Sequence, residues 1–385
     1  MRFKERFSHV DQVLVVLILA LVSVGFIIMS SASMDFASVE NANPFFYINR
    51  QLFFIVFASI IAFACFCLPT TFWNNNDKYF LAAGMLLLIL VLLVGKEING
   101  STRWIPLGVV NLQASEFAKI FILIFIAGYL VRRQDEVREK WSGFVKAASV
   151  LSAASFLLIL EPDFGATVVL LISAVGMIFL AGLGLQQVFV SVVLVLLGVV
   201  AAIFGASYRL QRLSCFADPW AEAYDCGYQL VQSLIAFGRG EFFGLGLGKS
   251  IQKLFFLPEA HTDFVFAILA EELGFVGVVA VIGLFVALIY KIFSIALRAE
   301  AAHKLFAAYF AYGIGLLLSA QVFINIGVNS GLLPTKGLTL PLLSYGGSSL
   351  VAMAIILGIL LRIDADLRSA IAQSSSENLR GRRLA

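Results

Sequence analysis

The sequence predicts an all-α, polytopic membrane protein: ten transmembrane helices with a long outer loop between the seventh and the eighth. Three observations predict it. Hydrophobic residues make up 61% of the 385 positions and charged residues only 13%, and the mean hydropathy is +0.96, far from the balance of a soluble domain. The apolar residues fall into runs of roughly 20, the length a bilayer requires. Of the Lys and Arg residues only Lys119 is placed within a run, the rest falling in the connections, where their overall bias sets orientation.

The first run, Asp11 to Ala32, follows a basic start (Arg2, Lys4, Arg6) and is too long for a cleaved signal peptide, so it is read as an uncleaved first span. Span two is Gln51 to Leu68 and span three Tyr79 to Val94, with turns at Pro44 and Pro69. A loop containing Arg103 and Trp104 leads to span four, which ends near Val131; the connection RRQDEVREKW leads to span five, Phe144 to Leu160. Glu161-Pro162-Asp163 breaks the chain before span six, which ends near Gly182, and span seven is Gln186 to Gly205. The region Ser207 to Asp263 is polar at both ends and glycine-rich and apolar between, which suggests segments dipping into a protein-lined cavity. Spans eight (Phe264 to Tyr290), nine (Leu305 to Asn325) and ten (Ser344 to Leu361) follow. Residues 1–372 then form a single membrane domain, and 373–385 a basic, disordered tail. Placing both termini in the cytoplasm puts seventeen of the 27 basic residues inside and nine outside.

Nothing in the chain has metal-ligand spacing, and no Walker or dinucleotide-binding fingerprint is present, so no metal site and no nucleic-acid partner is expected. Cys65 and Cys67 are apolar filler in span two. Cys215 and Cys226 share the outer loop, where an oxidising compartment permits a disulfide.

Ionisable groups in or beside spans are costly and therefore informative. Glu116 and Lys119, spaced i,i+3 on span four, share a face and can pair, either structurally or around a ligand. Glu161 and Asp163 flank Pro162, where capping the next helix is the plain explanation. Arg103 beside Trp104 is an interfacial anchor or a ligand-facing cation. Glu271 and Glu272 are adjacent on span eight and point about 100° apart, so the two are expected not to share one cavity wall. Asp263 stands where the outer loop enters span eight. It is either that helix's cap or a reactive carboxylate, and the helix N-terminus is expected to favour its ionised form.

The blocks NGSTRWIPLG with SEFAK, EPDFGAT, YQLVQSLIAFGRGEFFGLGLGKSIQKL, LPEAHTDFVFAILAEELGFVG and GLLPTKGLTLPLLSYGGSS resemble, in order and topology, the signature blocks of the SEDS family (shape, elongation, division and sporulation proteins). AFGRGE, Ala260 within PEAHTDF, and PTKG are more similar to the division branch than to the elongation branch. Two positions depart: Ala114 stands where the family commonly has proline, and Asn111 where some members carry a basic residue.

The resemblance implies a peptidoglycan glycosyltransferase that polymerises lipid II at the outer face of the cytoplasmic (inner) membrane, at the division septum. It implies a class B penicillin-binding protein and other divisome proteins as partners, and Mg2+ or Mn2+ as cofactor. It places the catalytic aspartate at Asp263, the paired charges at Glu116 and Lys119, and a functional arginine at Arg103.

The chemistry is consistent with that assignment. Joining a sugar hydroxyl to a sugar carrying a lipid diphosphate needs a base and a counter-charge for the departing group, but no acid. Arg103, Lys119, Arg239, Lys249, Lys253 and Lys336 are the candidate cations, with His261 beside Asp263 as a further substrate contact. Two other classes of function remain open from the residues: a lipid-linked oligosaccharide flippase and a non-catalytic divisome scaffold. Transporters bind near the midplane between repeats; here no internal repeat is evident and the candidates crowd one face.

Overall fold

The computed structural model describes residues 10–98, 101–106, 108, 111–205 and 207–384. Its helices are α1 (Gln12–Asn41), α2 (Phe46–Cys67), α3 (Thr70–Asn75), α4 (Asp77–Val94), α5 (Ala114–Arg132), α6 (Gln134–Glu139), α7 (Trp141–Leu160), α8 (Phe164–Leu180), α9 (Leu185–Phe204), α10 (Ser207–Ala217), α11 (Tyr228–Gly240), α12 (Val265–Ala301), α13 (Leu305–Asn329) and α14 (Gly347–Leu384). Seven of these, α1, α2, α4, α5, α7, α12 and α13, are long and apolar enough to cross a bilayer; α8 and the segment Leu185–Ala201 of α9 are apolar but shorter. The tenth expected span lies at the start of α14.

Two helices form the centre. The apolar windows of α5 and α13 are 78% buried, against 22% to 33% for the other five, whose outward Leu, Val and Phe side chains are what a lipid-facing helix presents. Around that pair, α4 packs on α5, α8 and α12 on α13, α1 on α12, and α14 on α2. At one end of the bundle the helices are cross-linked by charge. Asp11, the cap of α1, takes Lys291 of α12 at 2.9 Å and also Arg368 of α14, and Asp364 takes Arg298 and Arg368 at 2.7 Å each.

The structure departs from the sequence expectation in four places. The loop before α5 holds a small antiparallel sheet, β1 (Lys96–Ile98), β2 (Ser101–Pro106) and β3 (Asn111–Gln113), with Trp104 opposite Gln113 and Ile105 opposite Leu112. Thr102, Trp104 and Ile105 are residues that fit a pleated surface, and pairing satisfies backbone groups that a loop would leave open. The long outer region, expected as a loop, holds two helices: α10, tied by the Cys215–Cys226 disulfide to the turn just before α11, and α11, which packs along α12. Span eight is broken. Gly274, at φ +66°, interrupts α12 after Leu273. Finally, α14 continues through 373–384, where a disordered tail is expected; no proline in that stretch stops a helix.

The break at Gly274 is sealed by the glycine-rich loop that follows α11. Leu245 and Gly246 donate their N–H groups to the carbonyls of Glu271 and Glu272, the orphan acceptors of the first half-helix, at 3.0 Å each. Phe275 and Val276, the orphan donors of the second half, give theirs to the carbonyls of Glu241 and Phe242 at 2.9 and 3.1 Å. Only glycine fits at this crossing: a Cβ on Gly274 would lie 2.3 Å from the Gly244 nitrogen, and one on Gly244 would lie 2.2 Å from the Glu272 oxygen.

Candidate functional site

Asp263 sits one residue before the cap of α12, and its backbone is fixed from below. Asn325 and Asn329, one turn apart on α13 and fully buried, each donate a side-chain amide to the Asp263 carbonyl at 3.0 Å. The Asn329 oxygen takes the N–H of Ala267 at 3.1 Å, so Asn329 provides the cap for the first turn of α12. Asp263 itself makes no cap bond, and the Thr262 hydroxyl turns back to Glu259. The capping alternative for Asp263 therefore falls away: its carboxylate has no donor among the described residues.

That carboxylate lies against the loop before α14. A Cβ on Gly337 would come within 2.8 Å of its Oδ2, so a bare backbone gives it room there. Its pKa is pushed up to about 7 by burial, then by Glu259, with Arg103 opposing and Asp163 adding. This reverses the expected direction: the helix N-terminus favours the charged form, but desolvation outweighs it.

The surrounding charges come from separate segments. Arg103, on β2, donates to the carbonyls of Glu161 (3.4 Å) and Pro162 (2.5 Å), which pins the sheet on the turn before α8. Asp163 caps α8 through the Ala166 N–H at 3.1 Å and accepts from Ser115 at the start of α5 at 2.9 Å. Glu161 is fully buried, with neither carboxyl oxygen bonded, and burial raises its pKa to about 9, Asp163 reinforcing. Lys336 places its ammonium 4.3 Å from the centroid of Phe164, and Arg209 lies over the same ring at 5.8 Å. Burial lowers the Lys336 pKa to about 8, helped by Arg212, Arg209 and Arg103.

Of the residues singled out in the sequence, the fold thus brings the charge of Arg103 to bear on both Asp263 and Lys336, with Lys336 over Phe164 and its neighbour Gly337 against Asp263. Glu116 and Lys119 form a buried pair at 2.8 Å on α5, next to Ser115 and so linked through it to Asp163. Arg239 and Lys253 are engaged elsewhere. Arg239 pairs with Glu271 at 3.0 Å and Lys253 with Glu272 at 3.3 Å, both carboxylates being fully buried. Glu271 also accepts from the Ser250 hydroxyl and from the backbone of Ile251 and Gln252, and Glu272 from Ser31. The two glutamates do serve one loop after all, because residues 241–253 wrap around the broken end of the half-helix and meet both faces. Lys249 is exposed on that same loop. His261 is buried in an aromatic box, 4.8 Å from the ring of Tyr47 and 5.2 Å from Phe36, and burial lowers its pKa.

Four residues that now matter were not singled out from the sequence. Asn325 and Asn329 are visible only as an i,i+4 amide pair at the end of an apolar span, and Arg209 and Arg212 only as an i,i+3 pair just after one.

The chain matches the FtsW/RodA/SpoVE family, described as cell cycle proteins, over residues 11–369. It is 48% identical over 365 residues to the probable peptidoglycan glycosyltransferase FtsW of Aeromonas salmonicida, covering 94% of this chain and 92% of that one. It is 47% identical over 380 residues to the protein of the same description from Halomonas elongata, covering 96% and 95%. Among solved structures it superposes on a chain of a peptidoglycan synthase complex, described as coordinating polymerisation and crosslinking, with a TM-score of 0.77 and 31% identity over 93% of this chain and 98% of that one. It also superposes on the rod shape determining protein RodA of Thermus thermophilus, with a TM-score of 0.69 and 31% identity over 93% and 97%.

Proposed function

The chain belongs to the FtsW/RodA/SpoVE family of cell cycle proteins, and from that premise we propose that it is a peptidoglycan glycosyltransferase polymerising lipid II during septal wall synthesis. The observation that carries the reading is the Asp263 carboxylate: it is held by its backbone, has no donor on its oxygens among the described residues, is faced by the charge of Arg103, and lies against Gly337, the residue after Lys336.

In the proposed reaction an Asp263 oxygen takes the proton of the acceptor sugar hydroxyl. The oxygen so freed attacks the anomeric carbon of the donor, and the bond from that carbon to the lipid diphosphate breaks, the electron pair leaving with the phosphate. A single displacement inverts the anomeric centre. A base with a pKa near 7 is divided about evenly between its two forms at neutral pH, the balance that suits general-base catalysis. The diphosphate departs without needing a proton, and the fixed cations stabilise its charge.

A divalent cation, Mg2+ or Mn2+, would be held here by few protein ligands. The hard oxygens of Asp163 accept only one bond each in the contacts above and would hold it. When bound, it supplies further counter-charge to the leaving group.

We read the site as lying on the outer face of the cytoplasmic membrane, with ten crossings and both termini inside. The Cys215–Cys226 disulfide supports an oxidising side for the loop between α10 and α11. The ion-paired bundle end, at Asp11, Lys291, Arg298 and Arg368, coincides with the basic-rich connections. A class B penicillin-binding protein and other divisome components are the proposed partners, consistent with the likeness to a synthase complex.

The test is reconstitution. Purified protein, alone and with its transpeptidase, is given lipid II, and the product is resolved by length. Glycan strands are expected. Transfer of lipid II across vesicles without polymer would replace this reading with transport.

A further inference from the structure

We propose that the groove between α10, the turn before α11 and the loop before α14 binds the peptide carried by the substrate, Arg212 taking a carboxylate of that peptide and Asp225 an ammonium. The inference rests on the lipid II reading and deepens it: the peptide is the part of lipid II that the transfer itself leaves untouched.

The groove holds about 440 Å³, within the roughly 300 to 1,000 Å³ of ligand sites, and its walls include Arg212, Asp225, Tyr228, Gln229, Pro258 and Thr335. Two of these place it beside the proposed active site. Pro258 is on the loop that runs into Asp263, five residues before it, and Thr335 directly precedes Lys336. The groove thus opens between the two loops that carry Asp263 and Lys336, where a group hanging from a sugar at Asp263 can enter.

The charges in the groove select the ligand. Arg212 is about one turn before Cys215 and Asp225 is next to Cys226, and the disulfide sets the Cα atoms of those cysteines 6.0 Å apart. The guanidinium and the carboxylate are held on neighbouring walls by that bridge, yet neither is ion-paired with the other or with another of the described residues. Opposite charges kept near one another and unpaired match a ligand that brings one charge of each sign. Asp225 opposes a bare diphosphate, and a neutral sugar needs neither charge. A peptide with a free ammonium and free carboxylates, as the peptide of lipid II has, meets both. The amide of Gln229 and the hydroxyls of Tyr228 and Thr335 add donors and acceptors that suit peptide N–H and C=O groups.

The experiment measures binding, which needs no turnover. Full-length protein in detergent is titrated with lipid II and with lipid II acetylated on the free amine of its peptide. The parental protein is expected to bind the unmodified form about fivefold more tightly. Asp225→Asn, an isosteric change at an exposed residue, is expected to weaken binding of the unmodified form to the level of the acetylated one and to leave the acetylated form unchanged. Arg212→Gln, also exposed, is expected to weaken both forms by a similar factor. A parental protein that binds the two forms within about twofold overturns the proposal, and so does an Asp225→Asn variant that still tells them apart. An Asp225→Asn variant with unchanged lipid II binding and weakened capture of the purified transpeptidase would make the groove a partner site, which overturns it equally. The expected binding pattern without polymerisation would support the peptide site and count instead against the catalytic reading.

Discussion

Asn329 and Asp263 are joined so that one amide both places the proposed base and starts its helix: the nitrogen holds the Asp263 carbonyl at 3.0 Å while the oxygen caps Ala267 at 3.1 Å. Replacing Asn329 by Leu leaves the buried Ala267 N–H with only its bond to the Phe264 carbonyl and removes one of two donors to the Asp263 carbonyl. A loss of about 1 to 3 kcal/mol is expected, read as a lower unfolding midpoint. Turnover is expected to fall more than substrate affinity, because the group displaced is the base. An Asn329→Leu variant with parental stability and turnover would show that Asn325 alone suffices.

Asp263→Asn keeps the shape and removes the proton acceptor. It is expected to insert, fold and bind its transpeptidase partner, and to lose lipid II polymerisation by about 100-fold or more. Polymerisation near the parental rate in the purified variant would take the base role away from Asp263.

The pH dependence follows from two opposed shifts. Asp263, raised to about 7, must be deprotonated to act, so activity is expected to fall as pH drops below that value. Lys336, lowered to about 8, must be protonated to meet the diphosphate, so activity is expected to fall again as pH rises past that value. The rate profile is then bell-shaped. Lys336→Arg should carry the alkaline limb upward and leave the acid limb in place, since a guanidinium does not titrate in this range. The same raised carboxyl has a cost to folding that is absent below the ordinary carboxylate pKa and grows as pH rises toward 7.

Lys253 and Glu272 test whether that lysine serves the fold or the substrate. Lys253→Met alone strands a buried carboxylate and is expected to destabilise by about 3 to 5 kcal/mol. Adding Glu272→Gln should restore much of the stability, and polymerisation with it. Stability restored without activity would return Lys253 to the substrate site.

The disulfide closes a short loop beside the arginines. Cys215→Ser with Cys226→Ser is expected to cost about 2 to 3 kcal/mol by loop entropy. In unreduced, denatured protein neither outer cysteine should react with a thiol reagent. Two reactive thiols would rule the bridge out.

How much of this was legible before the fold was known differs by residue. The helical spans were, because a bilayer demands long apolar runs and little else in the chain supplies them. Asp263 was, because a carboxylate at the mouth of a span is rare enough to notice. The pair at Glu116 and Lys119 was, from i,i+3 spacing alone. The break at Gly274 was not: Phe264 to Tyr290 reads as a continuous apolar run, and glycine is common in membrane helices. Nor were the partners of Arg239 and Lys253, because two adjacent glutamates meet one loop only once that loop encircles the helix end. Arg209 and Arg212 looked like any charges outside a span; only the position of Phe164, more than 40 residues earlier in the chain, gives them a place. The raised pKa of Asp263 was hidden because burial is a property of neighbours that are distant in sequence.

The splice at Gly274 makes residues 241–246 the least editable stretch of the chain. Their backbone completes the hydrogen bonding of both halves of α12 at once, so their number matters as much as their identity. A side-chain change outside Gly244 and Gly246, both at positive φ, is absorbed locally. One residue inserted or deleted shifts the register against both halves together and leaves as many as four peptide groups unanswered where water is scarce. Length variation in relatives that keep this break is therefore expected in the connections around it and not in the six residues themselves.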